Sequence, residues 1–164
     1  MNNQPDHTPM EENQQIIDDT REKVRGYLQE VYPDFVEFDN GSFTLQEGSA
    51  TVSIIVRPWY EADSAVEFTS QLVTDAAITP EVMRWLLTKN VELHFGAFGL
   101  LFDGTIVYSM TLPGCDLSRR EFEATARTVA AIADHYDDEI VALAGGKTGA
   151  QALEETASEA QETA

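Results

Sequence analysis

The chain has 164 residues, 43% of them apolar, and a formal net charge of −19 with only ten lysines and arginines. That length fits one domain with tails, large enough to bury a core without disulfide or metal staples. The single cysteine, Cys115, excludes an internal disulfide and a thiolate metal cluster, and a surface this acidic repels phosphate backbones and anionic lipid heads. Nucleic-acid and membrane partners are therefore not expected. No apolar run approaches a bilayer span, and the N-terminus lacks the basic start and apolar core of a signal peptide, so the cytoplasm is the expected compartment. The acidity is read first as solubility, and second as the mark of a basic protein partner.

Residues 1–15 are polar and acidic, with Pro5 and Pro9, and are expected to be a disordered lead. A helix follows over residues 14–31: Ile17, Val24, Leu28 and Val31 share one face at three- and four-residue steps, and Pro33 ends it. Short strands at residues 36–38 and 43–45 flank Asp39-Asn40-Gly41-Ser42, a hairpin turn in which Asn-Gly tolerates positive φ. Gly48 marks a second turn. Residues 51–59 alternate Val52, Ile54 and Val56 on one face, and residues 66–72 alternate Val66, Phe68, Ser70 and Leu72. Thr79 as N-cap, Pro80 at the first helical position and Glu81 at the positive dipole end start a second helix, with Asn90 expected to close it in a left-handed cap. Two strands are expected at residues 92–102 and 105–112, joined by Asp103-Gly104.

The third helix is the best specified. Ser118 and Glu121 form a capping box, with Leu117 and Phe122 as the hydrophobic staple around it. Phe122, Ala126, Val129, Ala133, Tyr136, Ile140 and Leu143 then recur at helical spacing until Gly145-Gly146. The domain so defined spans residues 16–146. Residues 147–164 hold one large apolar group, Leu153, and are expected to be a disordered acidic tail, with transient helix over residues 151–161. The order α-ββββ-α-ββ-α, with tight turns between consecutive strands, predicts an α+β fold: helices packed on an antiparallel sheet.

Chemistry is sparse. Gly145-Gly146-Lys147-Thr148 looks like half of a phosphate loop, but Val141 stands where its first glycine belongs and the run follows a helix rather than a strand. Gly96-Ala97-Phe98-Gly99 lacks the third glycine of a dinucleotide site. Cys115 lies in a turn near a helix N-terminus, a setting that can lower a thiol pKa, but no base is placed beside it by sequence. His94 is expected on a strand. His135 lies four residues before Glu139 on the third helix, a spacing that suits a divalent metal as well as an ordinary wet face. These residues define the alternative reading, a metal-binding or enzymatic protein using Cys115, His94 or His135. The preferred reading is a non-enzymatic protein- or peptide-binding module without catalytic residues, cofactor or metal.

The run Thr79-Pro80-Glu81-Val82-Met83-Arg84-Trp85-Leu86-Leu87, the segments Asn90-Val91-Glu92-Leu93, Phe95-Gly96-Ala97-Phe98-Gly99-Leu100 and Leu112-Pro113-Gly114, and Ala133-Asp134 with Asp137-Asp138-Glu139 and Leu143 resemble the YbjN-like family. That family is related in fold to class I type III secretion chaperones. The resemblance is strongest over residues 79–146 and rests on order of elements alone over residues 16–77. It implies a chaperone-like or regulatory peptide-binding protein, often dimeric, with no catalytic residues to carry over; the family is also described as sensory transduction regulators. Met83, Trp85 and Leu87 are the candidate partner or homodimer interface. Val82 and Leu86 suffice to face a sheet, which leaves those three toward solvent, and Met and Trp are favoured at interface centres.

Overall fold

A computed structural model describes residues 9–60 and 63–162, with side-chain surroundings between residues 13 and 158. The elements are α1 (Pro9–Val31), β1 (Val36–Glu37), β2 (Phe43–Glu47), β3 (Ala50–Trp59), β4 (Asp63–Thr74), α2 (Pro80–Glu92), β5 (Ala97–Leu100), β6 (Ile106–Pro113), α3 (Arg119–Ala144), β7 (Lys147–Thr148) and α4 (Gly149–Glu162). The expected α-ββββ-α-ββ-α order is present, with β7 and α4 appended to it.

The sheet runs β1-β2-β3-β4-β6-β5, with every neighbouring pair antiparallel, and β7 adds to the far end of β4. Alternation decides which face is dry. Val52, Ile54 and Val56 on β3 and Val66, Phe68 and Leu72 on β4 are buried, while Ser53, Ile55, Glu67 and Thr69 between them are not. Phe43 and Leu45 extend this face across β2, and Tyr108 and Met110 across β6. α1 and α3 cover it through Val24, Leu28, Phe122, Val129, Ala133 and Ile140. Phe122 sits at the centre, its ring 5.4 Å from Phe68 and 5.7 Å from Tyr27. The expected capping box is formed: Glu121 N donates to Ser118 Oγ (3.2 Å) and Ser118 N to Glu121 Oε2 (3.0 Å). Asn40 Oδ1 accepts from Ser42 N (3.0 Å) and Gly41 has φ of 77°, as the first hairpin requires.

The ends depart from expectation. α1 starts at Pro9, inside the segment expected to be a disordered lead; residues 1–8 lie outside the described residues. Proline costs nothing at a first helical position, and the exposed pairs Gln14–Asp18 (2.9 Å) and Gln15–Asp19 (2.7 Å) support the helix four residues apart. Within the tail, residues 147–162 form β7 and α4. Gly146, with φ of 88°, presses its Cα against the Thr74 carbonyl where a Cβ would stand 2.2 Å away, and Thr148 then pairs with Val73. Thr148 and Gln151 form a second reciprocal cap: Gln151 N donates to Thr148 Oγ1 (3.3 Å) and Thr148 N to Gln151 Oε1 (3.0 Å). Hydrogen bonding in place of hydrophobic burial starts α4.

Candidate functional site

α2 begins as its sequence requires: Thr79 Oγ1 accepts from Val82 N (3.3 Å) and Pro80 opens the helix. It does not stop at Asn90. It continues to Glu92, and Asn90 clamps the next strand instead, Oδ1 accepting from Phe98 N (2.7 Å) and Nδ2 donating to Phe98 O (3.2 Å). The strand expected from residue 92 therefore begins only at Ala97, after Gly96 turns the chain with φ of 68°.

This clamp fixes the rotation of α2. Val82 and Leu86 are buried, as expected. Trp85 departs from its expected outward position: it is half-buried, its ring 5.9 Å from Phe98 and 5.8 Å from Tyr136, with Lys89 Nζ 5.6 Å above it. The aromatic cluster at the α2–α3–β5 junction gives the indole more contact than solvent does. Met83 and Leu87 do face outward, 40% and 67% exposed, and Val91 continues their stripe at 86%. The three recur every four residues and line a shallow groove with Pro80, Arg84 and Thr88. Of thirteen exposed large apolar side chains among the described residues, seven fall between residues 83 and 102, so the apolar surface is concentrated on α2 and the β5 hairpin.

The residues of the enzymatic alternative are dispersed. Cys115 is exposed, and its thiol donates to Asp63 Oδ2 at 3.2 Å. That hydrogen bond to a carboxylate, some burial and the nearby Asp116 charge push the thiol pKa up, the opposite of an activated nucleophile. Burial pulls Asp63 upward in turn, but the N–H groups of Ser64 and Cys115, the thiol and Lys23 outweigh it and hold the carboxyl below its ordinary range. His94 lies in the exposed bend between α2 and β5, not on a strand. His135 is exposed on α3, stacked edge-on against Tyr136. Among the described residues no three His, Cys, Asp or Glu side chains gather into a metal site. No described helix is long and apolar enough to cross a membrane.

A second concavity lies at the opposite side of α3. α4 crosses the end of the sheet, where the Gly149 Cα presses on the Gln71 carbonyl, and a cleft of about 250 Å³ opens between α4, the β2–β3 hairpin and α3.

A family model described as "T3SS (YopN, CesT) and YbjN peptide-binding chaperone 1" matches residues 18–152. The chain belongs to this family. No curated protein matches it. Among solved structures, a chain of the ExsC–ExsE complex superposes with a TM-score of 0.60 at 14% identity, covering 76% of this chain and 96% of that one. A chain of the HopA1–SchA chaperone–effector complex superposes with a TM-score of 0.51 at 12% identity, covering 76% and 92%. At such identities these likenesses establish the fold, an α+β secretion-chaperone fold, and the family model establishes the class: a peptide-binding chaperone and not an enzyme. Most of α4, from Leu153 on, lies beyond the matched residues.

Proposed function

We propose that this peptide-binding chaperone works as a cytoplasmic homodimer, joined through the outward face of α2, and holds segments of client proteins in extended or partly folded form. The observation that supports the pairing is the stripe Met83, Leu87 and Val91. A helix lying on one sheet needs only the inward stripe that Val82 and Leu86 already supply, and the outward stripe is left exposed among the described residues. The helix is held rigidly beneath it by the Asn90–Phe98 clamp and the Trp85 cluster, so an interface there is preorganised. Trp85 contributes from below, by fixing the helix, and not as a contact residue.

Holding another chain favours the chaperone role over signalling regulation, because apolar surface outside the α2 stripe, at Phe95, Leu100, Leu101 and Phe102, stays exposed for a client segment. Sedimentation equilibrium on the wild type and on Leu87→Glu tests the pairing. The wild type should fit a dimer and the variant a monomer with unchanged far-ultraviolet circular dichroism; a monomeric wild type would overturn it.

A further inference from the structure

The cleft beside α4 is the feature that neither the family nor the α2 face absorbs. Resting on the peptide-binding reading, we infer that it is a subsite for one large apolar side chain of a basic client segment, a leucine, methionine or phenylalanine flanked by lysine or arginine. Four observations converge on that occupant.

The first is size. At about 250 Å³ the cleft falls just below the range of small-molecule pockets, roughly 300–1,000 Å³, and suits a side chain better than a cofactor. The second is the lining. Phe38, in the turn between β1 and β2, and Leu153 on α4 line the cleft half-exposed, at 48% and 50%, together with Ala133 and Ala150. Two large apolar side chains left half wet gain burial when something apolar enters. Thr51, also lining the cleft, has a buried hydroxyl without a hydrogen-bond partner among the described residues.

The third is charge. Asp137 lines the cleft, and its carboxyl is pushed above its ordinary range by burial and by the neighbouring charges of Asp138 and Asp134, against the opposing N–H groups of Asp138 and of Asp137 itself. No ion pair among the described residues reaches Asp134, Asp137 or Asp138. A cation arriving beside the apolar group relieves this repulsion, and an acidic client would add to it. The fourth is the wall itself. α4 is seated on the sheet where the Gly149 Cα meets the Gln71 carbonyl, and Ala150 and Leu153 just beyond it line the cleft.

The probe is a fluorescein-labelled peptide of about ten residues alternating leucine and lysine. Its twins carry glutamate in place of lysine, or serine in place of leucine. Fluorescence anisotropy with the full chain should show saturable binding of the leucine–lysine peptide, much weaker binding of the serine–lysine peptide and none of the leucine–glutamate peptide. Ala150→Phe, which fills the cleft without changing charge, should weaken binding about tenfold, and Asp137→Asn roughly two- to fivefold. Thermal melts check that both variants fold; if Ala150→Phe does not, Leu153→Ser serves in its place with the same expected direction. Equal binding of the leucine–lysine and serine–lysine peptides, or full affinity in the cleft-filled variant, would overturn the subsite. Binding of the leucine–glutamate peptide alone would also overturn it while leaving the peptide-binding reading intact, and loss of binding in Leu87→Glu but not Ala150→Phe would move the client to the α2 face.

Discussion

Phe122 is the residue on which the two halves of the core meet, and its truncation gives the sharpest check on the packing. The ring is fully buried, tilted against Tyr27 of α1 and Phe68 of β4. Phe122→Ala returns roughly 150 Å² of apolar burial, which at about 25 cal/mol per Å² is a loss near 4 kcal/mol. Phenylalanine truncations in closed cores cost about 3–5 kcal/mol once the cavity is counted, in agreement. A domain of this size has a total stability of about 5–15 kcal/mol, so the variant stays folded but weakened. Urea unfolding followed by circular dichroism at fixed protein concentration reads this directly: with a slope near 2 kcal/mol/M, the midpoint should fall by about 2 M with the slope unchanged. Phe102→Ala, at a fully exposed position, is the control and should move stability by no more than about 0.5 kcal/mol. A Phe122→Ala loss below about 1 kcal/mol would refute the placement of α3 on the sheet.

Three further outcomes are expected. Asn90→Ala removes both bonds to Phe98 and leaves a half-buried backbone pair unsatisfied, so urea midpoints should show a loss of about 1–3 kcal/mol; no loss would mean α2 is not held by the clamp. Cys115, although exposed, should react with iodoacetamide near pH 8 more slowly than a cysteine in a short peptide, and Asp63→Ala should speed it; an unchanged rate contradicts the thiol–carboxylate bond. Asp137 has a folded-state pKa above its unfolded value, so its contribution to stability is full at low pH and is lost as pH rises through the folded pKa. Asp137→Asn should therefore raise the melting temperature at neutral pH, and the gain should vanish below about pH 4; a destabilised variant at pH 7 would contradict it.

What was legible in the sequence follows from how local each signal is. The α3 capping box, the Asn-Gly hairpin and the Thr79-Pro80 start depend on residues within one turn of each other, and all three formed as read. Asn90 carries a side chain that can end a helix or bond a distant strand, and only tertiary structure chose the second. That choice hid Val91 from the outward face of α2, since a helix ending at residue 90 has no such position. Met83 and Leu87 were found because Val82 and Leu86 left them no inward role. Trp85 was misplaced because its partners, Phe98 and Tyr136, lie far along the chain. α4 was legible only as transient helix for a different reason: its composition offers little to bury, and its start rests on Thr148 and Gln151, a T-x-x-Q spacing that carries the same capping signature as the Ser118–Glu121 pair and was readable.

The central claim is that this chain binds other polypeptides in non-native form. Its most direct test is an anisotropy titration of a labelled, permanently unfolded polypeptide with the full chain, set beside the same polypeptide in its folded state. Saturable binding to the unfolded form, with none to the folded form, is the predicted result. No saturable binding to the unfolded form, or equal binding to both, would contradict the claim.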